Sequence, residues 1–449
     1  MGAPLRIAVV GGGIAGLGAA HRLAPHHHVT LFEAGDYVGG HTHTVDATVG
    51  GVTFPVDTGF LVFNERTYPN LIALFDALGV PTAGSDMSFS VSVGPHDFEW
   101  CGSNLASLFA QPSNAASPRF WSMLKDILRF NREATALARD AGRAADATVP
   151  LGEWLDANRY GRPFRDGYLL PMAAAIWSCP TATMLAFPVG SFARFCDNHG
   201  LLQVANRPRW FTVKGGARQY VEKIVAGLQQ VRVSTPVRGI LRTPLDTARD
   251  GRDSVAVITD HGRETFDHVI LASHSDQSLA MLRDPSDDER AILGAVPYQP
   301  NRSYLHTDVS LMPKRRRAWA AWNYLSGGSF DAPTDRQRSV AVTYWLNALQ
   351  PLPFDRPVLV TLNPIEPPRE DLVLQAFDYS HPVFDTGAIE AQRRLPSIQG
   401  LRNTWFAGAW TGWGFHEDGL KSGLAVAGAL LARGDAVRDD RAPAVRAAA

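Results

Sequence analysis

Gly11, Gly13 and Gly16 form a GxGxxG pattern directly after the apolar run Leu5–Val10, at the mouth of a helical run, Leu17–Leu23. Those residue types at that spacing suit a pyrophosphate. The first glycine permits a tight turn, the second lets phosphate oxygens reach the backbone, and the third lets helix pack on strand. The opening helical amides, at Ile14 and Ala15, then face the phosphates with the positive end of the helix dipole. Glu33 closes the next apolar run, Val29–Phe32. It stands about twenty residues past the first glycine, where it and the following Ala34 meet a ribose diol. A carboxylate there repels a 2′-phosphate, so the expected ligand is the ADP half of NAD or FAD.

The next residues bear on that choice. Gly39-Gly40-His41 follows Glu33 within one short loop, and Val56-Asp57-Thr58-Gly59-Phe60 follows a further strand. His41 and His43 read equally as phosphate-side groups or as polar loop residues. Far downstream, Thr404–Ala407 reads as a strand running into Gly408-Ala409-Trp410-Thr411-Gly412-Trp413-Gly414-Phe415-His416-Glu417-Asp418-Gly419-Leu420. A helix is expected from Asp418, which resembles an N-cap, and its start would stabilise negative charge on a reduced flavin. His416 and Glu417, just before that helix, are the polar candidates for acid–base work.

The acid, the glycine pair and the C-terminal aromatic loop resemble the amine oxidase and phytoene desaturase superfamily of flavoenzymes. The resemblance implies FAD, with Gly408, Asp418, Gly419 and Leu420 closing over the flavin and Thr58, Gly59 and Phe60 running under its ring. It also implies that Val231-Arg232-Val233 and Val237 lie beside the adenine, Val237 through its backbone amide. His41 stands where the superfamily usually has Arg, and Ala409 where it has an acid, so the ribityl chain is expected to rest on backbone. The loop after Gly40 and the aromatic loop hold no cysteine, which predicts noncovalent FAD.

A closer resemblance covers nearly the whole chain. Phe63–Asn70, Ser85–Ser92, Ile176–Pro180, Thr343–Asn347 and Gly414–Gly419 are similar to bacterial FAD-dependent amine-oxidase-like oxidoreductases. They are also similar to the N-terminal flavoprotein half of plant cyclopropane fatty acid synthases. The implied setting is fatty acyl or phospholipid modification, beside a separate cyclopropane synthase-like methyltransferase.

These pieces must be positioned by an α/β fold: a discontinuous Rossmann-like FAD-binding domain (1–85, 206–290 and 390–432) and an α+β substrate-binding domain (86–205 and 291–389). Residues 433–449 are expected to fray. Trp177, Phe187, Phe192, Phe195, Trp210, Trp322, Tyr324, Tyr344 and Trp345 are candidates for an apolar channel, or plain core. Pro118–Ala136 reads as an amphipathic helix that either packs on the protein surface or rests on a membrane surface, and Lys314–Arg317 as a basic run that is either a solvated loop or a contact for a phospholipid head group or an acyl-carrier acid.

Bulk properties agree with a globular enzyme: 45% hydrophobic and 19% charged residues, with 43 Lys plus Arg against 44 Asp plus Glu. Such a balance gives no field to recruit nucleic acid. Three separated cysteines, which give neither a disulfide framework nor a zinc spacing, point to a reducing cytoplasm, with peripheral contact at the inner membrane face as a further expectation; the sequence shows no Walker or Ser-His-Asp spacing. The leading expectation is an FAD-dependent dehydrogenase, desaturase or double-bond isomerase of acyl chains. An amine oxidase is the alternative, with Trp410 and Trp413 as aromatic walls, and a non-catalytic flavoprotein partner of a lipid methyltransferase is the third reading.

Overall fold

A computed structural model describes residues 4–94, 97–140, 149–177, 180–204, 206–242, 254–327 and 341–439, with side chains as far as Arg433. The chain divides into two compact units: 1–42 with 218–296 and 390–449, and 43–217 with 297–389.

The first unit is built on β1 (Arg6–Val10), α1 (Ile14–Leu23), β2 (His28–Phe32), α2 (Arg218–Ala226), β3 (Gln230–Arg232), β4 (Val237–Arg242), β5 (Val255–Thr259), β6 (Gly262–Phe266), β7 (His268–Leu271), β8 (Thr404–Phe406) and α3 (His416–Asp439). Its main sheet runs β3-β2-β1-β7-β8, every pair parallel. Ile7, Ala8, Val9 and Val10 are all buried. A strand apolar on both faces is what a parallel sheet covered on both sides requires. β4, β5 and β6 form an antiparallel meander.

Close packing of α1 against α3 holds the unit's two ends together, and glycine makes it possible. A Cβ on Gly423 would sit 2.0 Å from the Ala15 carbonyl oxygen, and one on Gly18 would sit 2.6 Å from Leu420 Cδ1. Any side chain at Gly423 drives the helices apart, an overpacking that costs about 1–3 kcal/mol or more.

In the second unit a seven-stranded sheet runs in the order Val373–Pro382, Tyr298–His306, Leu359–Leu362, Ala341–Trp345, Trp322–Ser326, Phe89–Val93, Phe98–Cys101. Only the Trp322–Ser326 and Phe89–Val93 pair is parallel. The helices of this unit include Pro118–Arg139 and Val189–Asn198.

The observed unit boundaries differ from the sequence-based ones in one large segment. Residues 43–85 go with the second unit, where Ala47, Val49, Val56, Leu61 and Val62 share one hydrophobic core with Val91, Tyr344 and Phe377, and Asp57 is also fixed there. Its carboxylate accepts from the Ala217 amide at 2.9 and 3.1 Å, and its own amide donates to Gln350 Oε1 at 3.3 Å. Thr82–Ser85 also pairs with Trp210–Val213, which carries 206–217 into the same unit. At the C-terminus, α3 continues to Asp439, past the expected fraying point at 433; residues 440–449 lie outside the described residues.

Candidate functional site

The Gly11 turn is sterically specified. Gly11 has φ +107°, and a Cβ there would lie 2.7 Å from the Ala272 carbonyl oxygen. A Cβ on Gly16 would lie 2.0 Å from the Gly11 carbonyl oxygen, so the third glycine seats α1 on the turn. Gly13 is different, because no heavy atom stands within 4 Å of where its Cβ would be. The open lane is at the position expected to let a pyrophosphate in, and Ile14 and Ala15 open α1 beside it.

The Gly39-Gly40 loop lies on this turn. The Gly39 amide donates to the Gly12 carbonyl at 2.9 Å, and a Cβ on Gly40 would lie 3.2 Å from Gly13 Cα. Both glycines have positive φ, +138° and +57°. His41 follows, half-buried, and Tyr37 Oη donates to the Gly40 carbonyl at 3.0 Å.

Glu33 is held at the end of β2. Its Oε2 accepts from the Gly12 amide at 2.7 Å, and its Oε1 from the Gly35 amide at 2.8 Å. Each carboxylate oxygen has a second lone pair, so both retain capacity for a ribose hydroxyl. The turn after β3 clamps the same corner: the Ser234 amide donates to the Gly35 carbonyl at 2.7 Å and the Thr235 amide to the Glu33 carbonyl at 2.8 Å. Ala34 lies between these contacts, and Val237 opens β4 just beyond them.

The C-terminal segment reaches this turn. A Cβ on Gly419 would be 2.8 Å from Ile14 Cγ2. β8 pairs with β7 and delivers Gly408, whose amide donates to Ser422 Oγ at 2.9 Å. The aromatic loop is pinned by Gln392 Nε2, which donates to the carbonyls of Trp410 (2.8 Å) and Gly412 (2.6 Å). Trp410 packs against Gly408, and its Nε1 is a buried donor with no hydrogen-bond acceptor among the described residues. Trp413 and Phe415 are half-buried.

The helix begins two residues earlier than expected, at His416. Asp418 is therefore the third helical residue and not the N-cap. Its Oδ2 accepts from the amides of Trp413 and Phe415, both at 3.0 Å, reaching back as the acid of a capping box does. Burial pushes the Asp418 carboxyl up to about 6. His416 Nε2 lies 2.6 Å from Tyr220 Oη, which in turn lies 2.5 Å from Thr42 Oγ1. Burial pulls the His416 imidazole down to about 3, so it is neutral at physiological pH. Glu417 is buried beside it.

The structure thus brings Gly11, Gly13, Ile14, Ala15, Gly16, Glu33, Gly39, Gly40, Gly408, Asp418, Gly419 and Leu420 into one unit. Thr58, Gly59 and Phe60 belong to the other, where Thr58 Oγ1 donates to the His43 carbonyl at 3.0 Å and lies 2.9 Å from Tyr379 Oη. Sequence reasoning missed Tyr220, Thr42, Ser422 and Gln392. No local pattern marks them, because each acts on a segment remote in the chain or through a single polar atom. Among the candidate channel aromatics, Trp177, Phe187, Phe192 and Phe195 are buried against one another, with Trp177 and Phe195 ring centroids 4.5 Å apart. They are core. Cys101 and Cys196 are buried in the second unit, and Ser178 and Cys179 lie outside the described residues.

A parallel sheet with a glycine turn, an acid at the next strand end and a C-terminal loop folded back onto the turn is the frame of a flavin enzyme. The chain belongs to the family of flavin-containing amine oxidoreductases, which it matches over residues 14–431, and its cofactor is FAD. It is 30% identical over 292 residues to AofH of Mycobacterium tuberculosis, whose name places it with the flavin-containing monoamine oxidases; the match spans 62% of this chain and 59% of that protein. Among solved structures, the cyclohexylamine oxidase of Brevibacterium oxydans IH-35A has a TM-score of 0.68 at 15% identity, covering 96% of this chain and all of that one (100%). The CLA-producing fatty acid isomerase of P. acnes has a TM-score of 0.65 at 16% identity, covering 96% and 98%. At those identities the likeness is one of fold.

The residues present fit FAD. Gly13 leaves room for phosphate, Glu33 keeps acceptor capacity for ribose, and the Trp410 indole offers an unused donor in the C-terminal loop.

Proposed function

We propose that this chain is an FAD-dependent oxidoreductase acting on a hydrophobic substrate, a fatty acyl chain or phospholipid, by dehydrogenation, desaturation or a double-bond shift. The observation that carries the reading is the half-buried His416, held by Tyr220 at the start of α3 with its imidazole shifted well below its usual range. A neutral ring places no positive charge beside an apolar chain. The bound flavin supplies hydride acceptance from a substrate carbon. His416 is then a positioning residue, fixed by the Tyr220 hydroxyl, and Glu417 is the group that takes or returns the partner proton.

An amine oxidase is the second reading, favoured by the family and by the name of the mycobacterial relative. Its expected aromatic walls fare unevenly: Trp413 is half-buried, but Trp410 is packed onto Gly408 and only 2% exposed.

Anaerobic mixing of the holoenzyme with unsaturated or methyl-branched phospholipids tests the proposal. Bleaching of the flavin band, or a moved double bond found by mass spectrometry of the lipid, supports it. Bleaching by primary or secondary amines alone replaces it with the amine oxidase. If neither class reacts, and the protein is captured by a lipid methyltransferase whose activity is unchanged by replacing His416 and Glu417, the flavoprotein-partner reading takes its place.

A further inference from the structure

Four of the most exposed large apolar side chains belong to elements of the second unit that neighbour one another or a basic run: Leu105 (76% exposed), Leu128 (61%), Trp121 (53%) and Val309 (47%). Trp121 and Leu128 are seven residues apart on the helix Pro118–Arg139, hence on one face, with exposed Lys125 between them. The buried side of that helix is carried by Phe120, Met123, Phe130, Ala134 and Leu137, so its core contacts do not need Trp121 or Leu128. The Trp121 ring lies 5.9 Å from that of Phe109, the residue that ends the short helix Leu105–Leu108. That helix packs against the turn Arg316–Ala318, which overlaps the basic run.

The basic run is built, not frayed. The carboxylate of Glu99, fully buried, accepts from the Lys314 amide at 2.7 Å, from the Arg315 amide at 3.2 Å and from the Arg315 guanidinium at 2.8 Å. The Arg316 guanidinium stacks over Trp319 at 3.6 Å and over Trp345 at 4.8 Å. Lys314, Arg316 and Arg317 are left exposed, and among the described residues none of the three is ion-paired.

We infer that this face docks on an anionic phospholipid bilayer. Cores of protein–protein interfaces are depleted in lysine, whereas tryptophan and leucine tips among lysine and arginine suit the head-group boundary. There the apolar tips enter the acyl margin while the cations meet lipid phosphates. The inference goes beyond the proposed oxidoreductase reading and does not depend on it.

Vesicle co-sedimentation of the holoenzyme tests it, with phosphatidylglycerol vesicles against phosphatidylcholine vesicles. Preferential binding to the anionic vesicles, weakened by added salt, is expected. Lys314→Glu with Arg317→Glu should weaken binding at least about 25-fold, roughly fivefold for each cation lost. Leu105→Ser with Trp121→Ser should weaken it about tenfold or more, with flavin content and thermal unfolding unchanged. Equal binding to both vesicle types, or anionic binding untouched by either double variant, overturns the inference. So does a wild-type dimer that Trp121→Ser dissociates while no vesicle is bound.

Discussion

Tyr220 Oη lies 2.6 Å from His416 Nε2, joining positions 196 residues apart in the chain. Tyr220 is fully buried and passes the contact on to Thr42, so the helix start at His416 is tied both to α2 and to the loop that follows Gly40. An uncharged imidazole in that arrangement has its orientation set by its neighbours.

Replacing Tyr220 with Phe should therefore loosen His416 without emptying the cofactor site. Leaving buried polar partners unsatisfied costs about 1–3 kcal/mol. The expected outcome is a matching loss of stability in denaturant, full FAD content, and a kcat reduced about tenfold or more with KM little changed. Tyr220→Phe with an unaltered kcat would remove the positioning role.

His416 and Asp418 should give opposing pH dependences. The His416 pKa falls from 6.5 in the unfolded chain to about 3 in the fold, so the unfolded state binds more protons in between and stability falls as pH drops below about 6.5. Asp418 rises from 3.8 to about 6, so the folded state binds more protons there and stability falls as pH rises from about 4 to about 6. Each full slope is about 1.4 kcal/mol per pH unit. Between pH 4 and 6 the two largely cancel in the wild type. Relative to wild type, His416→Gln should lose stability as pH rises through that window, and Asp418→Asn should gain it. Urea denaturation at several pH values reads the difference.

The glycines of the first turn should separate folding from binding. Gly13→Ala meets open space and should unfold within about 1 kcal/mol of wild type while losing FAD affinity. Gly16→Ala meets the Gly11 carbonyl at 2.0 Å and should lose both. Thermal unfolding and flavin content, measured on the same preparations, distinguish the two.

Glu33→Ala removes an acceptor from the Gly12 and Gly35 amides and from the expected ribose contact. Hydrogen bonds to a charged group contribute about 1.5–3 kcal/mol, so FAD affinity should fall roughly 10- to 150-fold. Glu33→Gln, which retains one acceptor oxygen, should fall less. Equal affinity of wild type and Glu33→Ala in an FAD titration would exclude the contact.

The glycine turn and the strand-end acid were legible in the sequence because they are local. A glycine's tight turn, a helix start and a strand-end acid are short-range consequences of chain sterics, so Gly11, Gly13, Gly16 and Glu33 could be read directly. The C-terminal loop was legible by its glycine and aromatic content, but its helix start was misplaced, since Asp418 serves as the third helical residue and reaches back to Phe415. Tyr220 was invisible because its meaning lies wholly in partners brought from elsewhere by the fold. The segment 43–85 was assigned to the other unit for the same reason: Ala47, Val49, Val56, Leu61 and Val62 find their core among residues distant in the chain, such as Tyr344 and Phe377.

The central claim is that the Gly11 turn and the Gly408–Leu420 loop hold one FAD. A crystal structure of the protein grown with FAD tests it most directly. The expected result is a pyrophosphate over Gly13, a ribose on Glu33 and an isoalloxazine against the loop that ends at α3. Dinucleotide density remote from Gly13, or a flavin ring without contact to the 408–420 segment, would contradict it.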